Sequence, residues 1–147
     1  MKAVVAERYG GPDVLTIVER EPPAVGPRDV RIAVKAASLN PIDFKIRDGK
    51  VKLALAVRPP IALGCDVAGV VESVGSEVTR FAAGDEVFAC LEKDRMGGLA
   101  ELVSAGAHVT LSWQVADDDG RARVVSPLLA GLLGDGGEEA VVQVGGV

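Results

Sequence analysis

Leu63-Gly64-Cys65-Asp66-Val67-Ala68-Gly69-Val70-Val71-Glu72-Ser73-Val74-Gly75 sets apolar and β-branched residues around three glycines, and Gly84-Asp85-Glu86-Val87 follows close behind. Valine at this density favours a strand that is buried on a pleated surface. Gly69 interrupts that strand, and a glycine there marks a bulge or a close backbone approach. Together the glycines and the alternating apolar residues describe a tight β-barrel core.

The rest of the composition agrees. Aromatics are only 3% of the 147 residues while apolar residues reach 48%, so the core has to be built from Val, Ala, Leu and Ile. Eighteen glycines and eight prolines supply the turns that a β-rich chain needs. The length suits one domain, or one domain and a stub. Six acidic and two basic residues fall in 112–147, so this tail carries most of the net charge of −5 and differs in character from the body. There is no basic footprint for nucleic acid. Two cysteines and one histidine argue against a disulfide framework or a closed structural zinc site. The charged opening is unlike a signal peptide, and the longest uncharged run, Leu102–Ala116, is too short to span a bilayer. The expectation is a soluble cytoplasmic protein with neither nucleic-acid nor membrane partners.

Strands are expected over Lys2–Tyr9 and Val14–Arg20, paired as a hairpin across Gly10-Gly11-Pro12, then over Asp29–Leu39 and Leu63–Val74. In the third, Val30, Ile32 and Val34 share one face and Arg31 and Lys35 the other. Asp85–Leu91, Gly98–Ser104 and His108–Leu111 complete the set, with Phe81 anchoring the turn between Gly75 and Gly84. Pro41 and Asn40 predict the first turn and N-cap of a short helix near 41–48, and Gly49 its stop. Lys50–Pro60 reads as a loop. Beyond Leu111 the pattern changes: an acidic turn at 116–120, a short apolar segment over Val124–Leu133 that is helical by length and content, and a strand-like run over Ala140–Val144.

Several separated motifs then coincide in order: the opening MKAVVAERYGGPDVL, SLNPIDFKIRDG over Ser38–Gly49, the Leu63–Gly75 strand, Phe81–Val87, and GGLAELV over Gly97–Val103. Residues 1–111 thereby resemble the GroES-like catalytic domain of the medium-chain dehydrogenase/reductase family, in its zinc-free quinone oxidoreductase and enone (alkenal) reductase branch. The resemblance implies a mainly β, partly open barrel with one or two short helices. It also implies NADPH as hydride donor and a quinone or α,β-unsaturated carbonyl as substrate. Zinc alcohol dehydrogenases place a Cys at the start of the helix and a His-Glu pair in the core strand. Asn40 and Cys65-Asp66 stand there instead, so no metal is expected. Asn40 and Lys45 are the candidate catalytic residues, as donor and cation for a developing enolate oxygen, and Asn40 is also the candidate cofactor contact. Relatives often carry Tyr where this chain has Lys45.

The family's second, Rossmann domain is expected to be absent. Residues 112–147 look like a degenerate, frame-shifted or truncated linker: Gly134-Asp135-Gly136-Gly137 follows no strand and precedes Glu138-Glu139, which repel phosphate. Two functions stay open. One is the catalytic half of an NADPH-dependent quinone or enone reductase, inactive alone. The other is a standalone β-barrel interaction module, as a homodimer that covers the face a lost domain would cover, or with Val124–Leu133 folded over that face. A co-chaperonin-like assembly rests on fold analogy alone. For single residues the bland readings lead: Cys65 and Cys90 as small apolar fillers, His108 as surface, Trp113 as packing. Asp66 needs a hydrogen-bonding partner, in a loop or facing a cleft.

Overall fold

The computed structural model describes residues 1–92, 95–108, 110–115 and 122–124. Strand β1 (Lys2–Ala6) pairs antiparallel with β2 (Leu15–Glu19), register Lys2 with Glu19 through Ala6 with Leu15. A 3-10 turn at Pro12–Val14 fills the loop of this hairpin and tucks Val14 into the interior. Strand β3 (Asp29–Ser38) is followed by helix α1 (Pro41–Arg47), the two-residue β4 (Ile61–Ala62), β5 (Asp66–Val74) and β6 (Glu86–Cys90). Strands β7 (Leu102–Gly106), β8 (Thr110–Val115) and β9 (Ala122–Val124) complete the described order. One sheet runs β2-β1-β4 and the other β7-β3-β5-β6-β8-β9, all pairs antiparallel. Among the described residues the fold is mainly β with one α-helix, in line with the motifs.

The third strand alternates as its sequence predicts. Val30 and Ile32 are fully buried and Lys35 is exposed. They join Val67, Val71, Phe81, Val87, Leu91 and Val103 in the larger core cluster, so Phe81 does anchor the turn before β6. A smaller cluster of Ala6, Val14, Ile46, Ile61 and Leu63 ties the helix to the three-stranded sheet. Register shifts along β3 and β5, between Val34 and Ala36, mark a bulge opposite Gly69. A Cβ on Gly69 would lie 2.1 Å from the Ala33 carbonyl oxygen, so the close backbone approach is real. At the foot of β3 Arg95 grips Asp29 with two hydrogen bonds of 3.0 and 2.6 Å. Those bonds hold the Asp29 carboxyl below its ordinary range against the opposing pull of burial.

Three expectations shift. The strand sought at Gly98–Ser104 is found as Leu102–Gly106, because the residues before it bridge the two sheets. Gly97 and Gly98 N–H both donate to the Gly64 carbonyl, Val4 N–H to that of Leu99, and Ala100 pairs with Ala3. The strand sought at His108–Leu111 runs from Thr110 through Leu111 to Val115. Val124 ends strand β9, which pairs with β8, rather than starting a helix. The remainder of the Val124–Leu133 segment, the 134–137 glycines and the Ala140–Val144 run lie outside the described residues. None of the described helices is long and apolar enough to cross a membrane.

Candidate functional site

Helix α1 owes its seven residues to its two ends. Asn40 caps it in extended conformation, and Pro41 at the first helical position forfeits no hydrogen bond. Gly49, at φ +74, closes it: its N–H reaches the Ile46 carbonyl, while Lys50 N–H reaches that of Lys45. Asp43 forms the other half of a capping box with Asn40. Its Oδ2 accepts from the Asn40 backbone N–H at 2.7 Å. Asp43 is fully buried, and its Oδ1 accepts from the Gly64 N–H at 3.2 Å and from the Cys65 thiol at 3.6 Å. This carboxylate is a residue that sequence reasoning missed. A polar position on a short helix reads as solvated, whereas the available signal was its place three residues after a capping asparagine.

Asp66 finds its partners in the segment leading into that helix. Asn40 Nδ2 donates to Asp66 Oδ2 at 2.6 Å and to Ser38 Oγ at 3.2 Å, and Ser38 Oγ donates to Asp66 Oδ2 at 3.1 Å. A carboxylate only accepts, so the side of Asn40 facing it is the NH2 group. The NH2 group is therefore engaged within the protein, with both acceptors on one side of it. Lys45 lies exposed on the helix, and its ammonium meets no carboxylate or other partner among the described residues. The structure does not bring Asn40 and Lys45 into contact among the described residues.

Asp66 sits opposite Ser38 on β3 and opposite Cys90 on β6, so the three form one row across the sheet. Beside Cys90 opens a groove of about 800 Å³, lined by Leu55, Val57, Arg58, Ile61, Glu92 and Met96 among others. The Tyr9 hydroxyl donates to the Val57 carbonyl at 2.7 Å and holds the 51–60 segment that forms one wall. The other side of the row is open: Lys35 to Leu39 are all exposed, Leu39 to 58%, and Phe44 on the helix to 44%. His108 is on the surface, its Nε2 3.0 Å from a Glu92 carboxylate oxygen.

Burial pushes the Cys65 thiol up to about 12, with the Asp43 carboxylate and its hydrogen bond adding to the shift. Among the described residues no group of three or more His, Cys, Asp and Glu is placed to hold a metal ion. The two thiols should differ sharply in reactivity. With Ellman's reagent at pH 8, the exposed Cys90 is expected to react at once and Cys65 only after unfolding in urea. Two equally fast thiols would contradict this environment. The folded Cys65 pKa lies above its unfolded value of 9.0, so its contribution to stability is complete below pH 9 and is lost as pH rises toward 12.

Residues 26–114 match the alcohol dehydrogenase GroES-like domain. The chain is 38% identical over 133 residues to the chloroplastic quinone-oxidoreductase homolog of Spinacia oleracea, covering 88% of this chain and 40% of that protein. It is 43% identical over 112 residues to the chloroplastic NADPH-dependent alkenal/one oxidoreductase of Arabidopsis thaliana, covering 76% and 29%. The crystal structure of Escherichia coli quinone oxidoreductase complexed with NADPH superposes with a TM-score of 0.71 at 28% identity, over 80% of this chain and 35% of that one. The chain thus spans 40% or less of the length of each of these relatives. A family match over more than half of the residues, in the fold just described, makes the chain a member of the alcohol dehydrogenase GroES-like domain family, with quinone and alkenal/one oxidoreductases as its relatives.

Proposed function

We propose that this chain forms the substrate-side wall of an NADPH-dependent oxidoreductase that reduces quinones or α,β-unsaturated carbonyls. The observation that carries this reading is the groove beside the Ser38–Asp66–Cys90 row. Its volume of about 800 Å³ and its Leu55, Val57, Ile61 and Met96 lining suit a small, flat, apolar molecule. Arg58 and Glu92 supply the few polar groups that would orient it. NADPH, when bound, supplies the hydride. Asn40 stands at the end of the open Lys35–Leu39 edge, where it would meet the cofactor. Lys45 offers a cation for the negative charge that develops on the substrate oxygen.

The phosphate-binding half of such a site has no counterpart among the described residues, so the reading assigns residues 1–111 to the substrate domain and expects no turnover by this chain alone. Chemical-shift mapping with duroquinone, whose fully substituted ring cannot add a thiol, tests the groove. Shifts confined to Leu55, Val57, Leu91 and Met96 at millimolar quinone are expected, and none there would defeat the reading. Titration with NADPH followed by nicotinamide fluorescence is expected to be silent; micromolar binding would place a complete cofactor site within these 147 residues. The exposed Leu39 and Phe44 favour a second reading, a homodimer acting as an interaction module. Sedimentation at 15.1 kDa rather than twice that mass removes it.

A further inference from the structure

We infer that Asp66 and Asp43 are positioning residues that fix Asn40 at the head of helix α1, the Asp66 carboxylate holding its side-chain amide and the Asp43 carboxylate its backbone N–H. The two carboxylates come from different elements and cross. Asp43, on the helix, receives the Gly64 N–H and the Cys65 thiol from the strand side, besides the Asn40 backbone N–H. Asp66, at the start of β5, receives the Asn40 amide from the helix side, at 2.6 Å across 26 residues of sequence. Both acceptors lie on the same side of the amide nitrogen, 3.1 Å from each other, so they fix its place between them. One of the two bonds is charge-assisted, the stronger kind. Ser38 closes the triangle by accepting from Asn40 and donating to Asp66, so the carboxylate oxygen takes two donors and stays put.

The functional value of this depends on the reading above, in which Asn40 faces the cofactor. The positioning itself is tested without cofactor, so the two can fail separately. Asn40 is the only asparagine in the chain, and labelling with 15N-asparagine therefore gives one side-chain NH2 pair. In the unaltered protein the two protons should be well separated, and the one facing Asp66 protected from exchange. Asp66→Ala should collapse them toward the shifts of a free amide and speed exchange about ten- to a hundredfold, the range for a bond to a charged group. Asp66→Glu should restore part of the separation. An unchanged pair in folded Asp66→Ala overturns the inference. Should that variant not fold, Ser38→Ala decides. A changed shift or faster exchange at the proton facing Asp66 supports the triangle, and an unchanged pair refutes it.

Discussion

Gly69→Ala is expected to lower the stability of the chain by about 3 kcal/mol, the upper part of the range for forcing extra atoms into a packed interior. The added Cβ would stand 2.1 Å from the Ala33 carbonyl oxygen and 2.9 Å from Ile32 Cγ2, and neither can retreat. The first is backbone in the middle of β3, and the second belongs to a fully buried side chain. Relief requires β3 and β5 to separate where their ladder is already bulged. Gly84→Ala is the comparison. Gly84 has φ +98 but nothing within 4 Å of its would-be Cβ, so its substitution carries only backbone strain, about 1–2 kcal/mol. Urea unfolding followed by circular dichroism ranks the two. Equal losses would mean that the close approach at Gly69 is not what the position requires.

Asp43→Ala is expected to cost a similar amount, about 3 kcal/mol, for the opposite reason: it removes atoms instead of adding them. Three donors lose their acceptor together: the Asn40 and Gly64 N–H groups and the Cys65 thiol. Buried donors left unpaired carry their desolvation penalty in full, typically ~1–3 kcal/mol each, and water that enters the space left by the carboxylate recovers part of it. The same variant frees Cys65 from a neighbouring negative charge, so its thiol should titrate lower than in the unaltered protein. A stability loss with no change in Cys65 reactivity would separate the structural contact from the electrostatic one, and would count against the Asp43 carboxylate as a cause of the raised Cys65 pKa.

How far the sequence reaches can be seen residue by residue. The caps of α1 are local devices, and Asn40, Pro41 and Gly49 name its ends within a residue. The alternation in β3 and the isolated glycine in β5 are local too, and both hold in the fold. Gly98–Ser104 misled because its β propensity is satisfied by bridging two sheets before a strand begins. At Asp66 the need for a partner was legible from a carboxylate in an apolar run, but Ser38 and Asn40 were not, since each also reads well as a surface residue. Lys45 and Asn40 were joined by the family resemblance; the fold leaves the first exposed and commits the amide protons of the second. The groove beside Cys90 joins residues from 54 to 96, and its volume is a property of how three segments lie, which no window of sequence carries.

The sequence alone therefore determined most of the strands and the ends of the helix, which faces are apolar, and which family the chain resembles. Those rest on periodicity, capping and turn chemistry, energies that act over a few residues. Only the tertiary structure decided that Asp43 is buried and what it holds, that Asp66 grips Asn40, and that an apolar groove lies beside them. Each of these is a contact between elements far apart in the chain. The favourable partner for a buried charge is set by where the backbone crosses, and that is fixed only when the whole core packs.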